Sequence, residues 1–459
     1  MKKSTVINLT VSALVLPALS SCHIYKKFDM PTEDNLQAEY VEAKQQQLDN
    51  DNLGNLPWQQ VFTDPMLADL INRALEANVD LDNARLNVEI AHANMQGARL
   101  AYLPSLVLAP NGGASSVSNG KLTNWNYTIP LSASWEVDIF AKTLNSKRAA
   151  ETSYAQAKAY EQAVKSQIIG AVANCYYSIA TLQAQLDLNR ATAEIWRRNV
   201  DVMRDYKEAG RTNEAAVMQA DANYHSILAS ITDLEASLHH AHNTMSVLLK
   251  TQPQVWAINP ASLSLPVMFE GGVPMSQLAA RPDIKAAELG VAVAYYNTNS
   301  ARAAFYPGLT ITANYGFTNS FGGKIVNPGD WIASLAGSLT APLFLRGQNI
   351  ARLKATKAQQ KQAMNTFENA LLSASAEVSN ALTVYAKANE KSNYLATQVD
   401  DLIKATDYTG ELFKTADATY LEVLTAQSSL LQAQMSQLSC DLARAQAVIN
   451  LYQSLGGGR

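Results

Sequence analysis

The stretch Tyr127-Thr128-Ile129-Pro130-Leu131-Ser132-Ala133-Ser134-Trp135-Glu136-Val137-Asp138-Ile139 alternates apolar and polar side chains almost without a break. A strand turns successive side chains to opposite faces, so this period of two builds one apolar and one polar face. The pattern recurs in Leu309, Ile311, Ala313, Tyr315 and Phe317, set against Thr310, Thr312, Asn314, Gly316 and Thr318. It returns less cleanly where Trp331, Ala333, Leu335, Leu339, Ala341 and Leu343 are spaced by Ser334, Ser338 and Thr340. A fourth, weaker segment runs from Leu106 to Ser118, with Pro110 and Gly112-Gly113 inside it. Segments of about ten residues with aromatics toward their ends are the pattern of a transmembrane β-barrel. A half-buried sheet in a soluble domain has the same period. Lipid does not tolerate open sheet edges, and four strands are too few to close a barrel. A membrane reading therefore requires several chains to share one barrel, which makes the protein an oligomer.

Long helical patterns flank these segments, and they repeat. Ala98-Arg99-Leu100-Ala101-Tyr102-Leu103-Pro104-Ser105-Leu106 aligns with Ala301-Arg302-Ala303-Ala304-Phe305-Tyr306-Pro307-Gly308-Leu309. Phe140 and Arg148 meet Phe344 and Arg352, and Ala209-Gly210-Arg211 meets Thr415-Ala416-Asp417. The chain is thus two copies of one unit, each reading helix, two strands, helix, helix. The first helix is expected from about Asp64 to Tyr102, with Asp64-Pro65 as cap and first turn. Its counterpart runs from Pro282 to Tyr306. A helix from about Lys147 to Ala209 carries Ile168, Val172, Cys175, Ile179, Leu182 and Leu186, then Ala193, Trp196, Val200 and Met203, at coiled-coil spacing. Asn189 interrupts that seam. Ala374, Val378, Ala381, Tyr385, Ala388, Ser392, Leu395, Val399 and Leu402 repeat it in the second half. Returning helices follow at about Glu214–Lys250 and Tyr420–Gln453.

Composition agrees with a large folded core. Of 459 residues 47% are hydrophobic and 17% charged, and 36 basic side chains face 40 acidic ones. No basic stripe suits a nucleic acid. Three cysteines, Cys22, Cys175 and Cys440, are too few and too scattered for a disulfide framework or a zinc site. No apolar run long enough for a membrane-spanning helix follows residue 20. The first 22 residues read as a signal peptide: Lys2 and Lys3, an apolar stretch from Val6 to Leu19, then Ser20 and Ser21 before Cys22. Leu19-Ser20-Ser21-Cys22 resembles the lipobox at which bacterial lipoproteins are acylated and cut, making Cys22 the expected lipidation site. Loss of Lys2 and Lys3 takes the formal charge from -4 to -6.

The layout resembles the TolC-like outer-membrane efflux proteins, above all the lipoprotein branch serving resistance-nodulation-division (RND) pumps. The resemblance rests on Pro57-Trp58, Phe62, Asp64-Pro65, Leu67 and Leu70-Ile71, then Ala74-Leu75, Asn78 and Asp80-Leu81. Ala279-Ala280-Arg281-Pro282-Asp283-Ile284 with Ala287-Glu288, and Tyr420-Leu421-Glu422-Val423-Leu424-Thr425-Ala426-Gln427, continue it in the family's order. It implies a mainly α fold with a transmembrane β part: a homotrimer joining a 12-stranded barrel to a periplasmic α-barrel. It also implies a passive exit duct coupled through a periplasmic adaptor to an inner-membrane RND pump, with no cofactor. On that reading 1–21 is the signal peptide and 22–61 a lipidated segment leading into an equatorial part. Residues 62–102, 142–250, 278–304 and 347–453 form the helical barrel, 103–141 and 305–346 the strands, and 251–277 with 454–459 more of the equator. The turns at Gly210-Arg211-Thr212 and Ala416-Asp417-Ala418 become adaptor contacts, and Glu422 and Asp417 candidate gate carboxylates.

The chain departs from the family pattern in two places. Ala416 stands where a Gly is common, and Thr425 replaces one of two acidic residues, leaving Glu422. Ala216 and Gln219 are the uncharged counterparts in the first half. His239, His240 and His242 cluster without carboxylates or Met beside them, so a polar helix surface competes there with a metal site. Asp51-Asn52-Leu53-Gly54-Asn55 is a turn too short for a calcium loop. No nucleophile–His–acid set or phosphate loop points to an enzyme. Two alternatives share parts of this pattern: the exit duct of a type I secretion system, and a non-conducting coiled-coil lipoprotein of the envelope. The strands separate the last from a duct.

Overall fold

The computed structural model describes residues 25–32, 35–45, 56–116, 122–258, 278–279, 281–319, 330–415 and 418–458. The signal peptide, Cys22, the turn at 51–55, residues 259–277 of the linker, and Ala416 and Asp417 lie outside these. The elements are α1 (Asn35–Gln45), α2 (Trp58–Val61), α3 (Pro65–Ala77), α4 (Val79–Leu100), β1 (Ser105–Leu108), β2 (Asn111–Ser116) and β3 (Leu122–Val137). There follow α5 (Lys142–Glu208), α6 (Glu214–Leu248), α7 (Pro282–Ala303), β4 (Gly308–Thr318), β5 (Asp330–Thr340), α8 (Gln348–Lys414) and α9 (Tyr420–Ser454). Among the described residues no helix is long and apolar enough to cross a membrane.

The duplication is visible in element lengths. Helices α4 and α7 each have 22 residues, α5 and α8 each 67, and α6 and α9 each 35. At 1.5 Å per residue the 67-residue helices run about 100 Å. The expected seam is their buried stripe: Val172, Ile179 and Met203 in α5, and Ala374, Val378 and Ala388 in α8, are all buried. Asn189 is buried in that stripe and satisfied, its Nδ2 donating to Gln185 O at 2.8 Å.

The chain forms two compact units. One draws on the segment up to Gln37, Leu86–Lys158 and Lys285–Asn369; the other on Ala38–Arg85, Ala159–Ile284 and Ala370–Arg459. The first holds the sheet, in the order β1-β3-β4-β5, with β2 also pairing β3. All pairs are antiparallel. In the β3–β4 ladder Thr128 faces Thr318, Leu131 faces Tyr315 and Val137 faces Leu309. Pro130 stands in this interior strand, a place proline usually avoids. Gly316 lies opposite it, and a Cβ there would run into the Ile129 carbonyl. The weak segment after Leu106 is two strands, β1 and β2, breaking at Ala109-Pro110 beside the same Pro130.

Three helix expectations need correction, and the first is that α5 starts at Lys142 rather than at about Lys147. The helix from Asp64 to Tyr102 is two helices, broken at Asn78, whose Oδ1 accepts from the backbone N–H of Asp80 at 2.9 Å and caps α4. Its Nδ2 donates to Leu248 O at 2.9 Å, tying the break to the end of α6. Asp64 caps α3 as expected, accepting from Met66 N and Leu67 N. The counterpart helix α7 stops at Ala303 rather than Tyr306, and Phe305-Tyr306 continues as turn.

Candidate functional site

The sheet sorts its side chains by face. Ile129, Leu131, Trp135 and Tyr315, on the apolar face, are between 40% and 53% exposed. Thr128, Ser132, Ser134 and Thr312, on the opposite face, are half-buried. This inverts the ordinary soluble sheet, whose apolar face is covered by another layer. The polar face is laced by side-chain bonds: Thr128 Oγ1 to Thr318 Oγ1 at 3.1 Å, Ser132 to Asn314 at 2.6 Å, and Asn314 to Ser334 at 3.2 Å. Aromatics mark both ends of the apolar face. Trp331 packs on Phe317 at 4.1 Å and on Tyr315 at 5.2 Å. Toward the helices, Trp135 Nε1 donates to Tyr102 O at 2.9 Å, and Phe140 stacks on Tyr306 at 4.8 Å. Two aromatic groups bracketing an apolar band are what a membrane interface selects.

The second region lies at the helix-to-helix turns. Gly210 takes a φ of +70°, which only glycine adopts freely, and Arg211 N donates back to Tyr206 O at 2.8 Å. Lys207 pairs with Glu214 across this turn, and Asn213 caps α6 by accepting from Ala216 N. Arg211 is exposed and Thr212 half-buried. At the second turn Ala418 is half-buried, and Thr419 and Glu422 form a capping box. Glu422 Oε2 accepts from Thr419 N at 2.6 Å and from Thr419 Oγ1 at 3.0 Å, and these donors hold its carboxyl below the ordinary range. The gate candidate is therefore also the residue that starts α9.

Sequence reasoning missed the aromatic contacts that join the two turns. Tyr206 packs on Phe413 and Phe413 on Tyr420, each at 5.7 Å. They cover a small core of Val200, Met203, Val217 and Ala220. Burial pushes the Tyr420 hydroxyl up to about 12. None of the three rings has an aromatic repeat mate, so the duplication gave no hint of them. Arg281, noted only within a motif, is the other hidden centre. It is buried, donates Nε and Nη2 to Asp283 at 3.0 and 2.7 Å, Nη2 to Glu377 at 2.8 Å, and Nη1 to Ser454 O at 3.0 Å. Burial alone would lower its pKa, but the two carboxylates raise it overall.

The histidines do not converge. His242 is buried and its Nδ1 accepts from Trp256 N at 3.3 Å, while His239 bonds Asn243 and His240 bonds Thr244. Burial, with His239 nearby, lowers the His242 pKa, the direction of a neutral packing residue. Cys175 and Cys440 are buried thiols donating to backbone carbonyls of neighbouring helices.

Comparison with known proteins gives the same picture. The family model described as outer membrane efflux protein matches residues 70–249 and 273–457. The cation efflux system protein CusC of Escherichia coli O6:H1 is 29% identical over 420 residues, 89% of either chain. The probable outer membrane lipoprotein SilC of Salmonella typhimurium is 28% identical over 408 residues, covering 87% of this chain and 88% of that one. A crystal structure of CusC superposes with a TM-score of 0.81 at 26% identity, over 94% of this chain and 98% of that one.

Proposed function

The chain belongs to the outer membrane efflux protein family, and from that premise we propose that three copies close one 12-stranded barrel above a periplasmic tube of helices. It is an outer-membrane efflux channel. The observation that carries the trimeric duct is the inverted sheet, with an apolar face left uncovered and a polar face laced by hydroxyls and amides. Bilayer covers the first face and a water-filled lumen suits the second. Among the described residues the sheet also ends in two unpaired edges, which lipid forbids and further copies satisfy.

The finer assignments follow from this frame. The turns Gly210-Arg211-Thr212 and Ala416-Asp417-Ala418 are the contacts for a periplasmic adaptor, which links the duct to an inner-membrane RND pump. Glu422 and Asp417 are the acidic groups of a closed inner end. Cys22 carries the lipid anchor. The test is purification from outer-membrane fractions, followed by conductance recording in a planar bilayer. A detergent-resistant trimer with discrete conductance steps is expected. A monomer without conductance would defeat the proposal.

A further inference from the structure

The internal repeat contains the register of the contact between copies. The helices α4 and α7 are offset by 203 residues, and each is followed after the same gap by β1 or β4. The helices α5 and α8 are offset by 206. The ladders obey both offsets. Ser105 opposite Ser134 closes the β1–β3 ladder, and Gly308 opposite Thr340, their images under those offsets, closes the β4–β5 ladder. The repeat thus carries β1 onto β4 and β3 onto β5.

The β3–β4 ladder must then have an image as well. Val137 opposite Leu309 and Trp135 opposite Ile311 map to Leu343 opposite Leu106 and Ala341 opposite Leu108. Within one chain this image cannot form, because β1 and β5 stand at opposite edges of the sheet. We infer that β5, prolonged to Leu343, pairs antiparallel with β1 of a second copy in that register. The inference rests on the shared barrel proposed above and supplies its residue-level contact.

Three observations support it independently. Strand β3 runs past its last β1 partner to Val137, whereas β5 stops with its last β4 partner, and Leu343 beyond it is 96% exposed. Pairing with a second copy would give β5 the same three-residue extension. Leu106 and Leu108 are 68% and 63% exposed, and lie opposite Ala133 and Leu131 on the apolar face that also carries Leu335 and Leu339. A slip of one residue would instead set Leu343 against Val107, which lies opposite Ser132 on the polar face. The backbone agrees too. Ala109 N donates to Pro130 O at 3.2 Å, so Leu106 and Leu108, of opposite parity, turn their amides toward the open edge.

Paired cysteines test the register. Directly opposed Cα atoms lie about 4.5–5.5 Å apart, within disulfide reach, whereas a two-residue slip opens about 7–8 Å. With Cys175 and Cys440 changed to Ala, Leu106→Cys with Leu343→Cys should convert to a covalent trimer on oxidation. Leu108→Cys with Ala341→Cys should do the same, and decides the matter if the first pair fails to assemble. Leu108→Cys with Leu343→Cys, and Leu106→Cys with Ala341→Cys, should stay uncrosslinked. Crosslinking of either slipped pair in preference, or of none in a chain that still sizes as a trimer, overturns the register. A wild-type chain that sizes as a monomer in mild detergent instead overturns the shared barrel on which it rests.

Discussion

Glu422 caps α9 and is proposed as a gate carboxylate, and a single substitution can separate the two. Gln at the third helical position still closes a capping box, whereas Ala cannot. Glu422→Gln should therefore lower the melting temperature only slightly, through loss of the charge, and reduce cation preference in single-channel recording; Glu422→Ala should lower the melting temperature further and reduce the preference as well. Unchanged selectivity in Glu422→Gln would move the gate charge to Asp417. The Thr419 donors depress the Glu422 pKa, so its contribution to stability is complete above the ordinary carboxylate value. It is lost only as pH falls through the lowered value, and the cap should survive mild acid. On the sheet, Leu131→Arg should cost roughly 2–4 kcal/mol and abolish assembly, while Ser132→Arg assembles and alters conductance. Trimer yield from membranes reads the difference, and equal tolerance on both faces would contradict a bilayer-facing apolar side. Gly316→Val should fail to assemble, since the new side chain meets the Ile129 carbonyl across from Pro130.

Elements were legible in proportion to how regular their packing is. The seam of α5 and α8 could be read because each buried position recurs every three or four residues along about 100 Å. The break at Asn78 was missed although its signals were present. An Asn followed by Asp80 and Asp82 is a fair helix start, but the apolar pattern continues across it. The strands were legible by period, yet the first was blurred because Pro110 and two glycines sit where β1 gives way to β2. Pairing Phe140 with Phe344 and Arg148 with Arg352 gave an offset of 204, whereas the helices obey 206. Arg148 and Arg352 lie inside α5 and α8, and the strand ladders obey 206 as well, so the likeness of isolated residues misleads where the register of whole elements does not. Arg281 escaped notice because its partners Glu377 and Ser454 are remote in sequence. Arg281→Ala leaves two half-exposed carboxylates without their cation and should cost roughly 2 kcal/mol. A lower thermal midpoint of the detergent-solubilised protein, partly restored by Arg281→Lys, would show it.

For the molecule as a whole, the proposal divides anchorage between a lipid on Cys22 and the barrel. One acyl chain binds a membrane only marginally, so the barrel supplies most of the hold. Cys22→Ala behind a non-lipoprotein signal peptide should still give trimers in the outer membrane, in lower yield. Loss of every membrane-bound trimer would make the acyl group essential to assembly, and an unmodified Cys22 in the mass spectrum of the wild type would remove the anchor. The matched element lengths have one more consequence. In the proposed trimer, three chains, each holding two like repeats, would make a ring with six similar stations. A single codon change then alters every second station and leaves its neighbours untouched. Divergence between the halves has already used this freedom. In sequence Gly210 aligns with Ala416, and Asn213 caps one helix where Thr419 and Glu422 cap the other. Such a ring can vary its chemistry in alternation, keeping one set of stations fixed while the other explores new side chains.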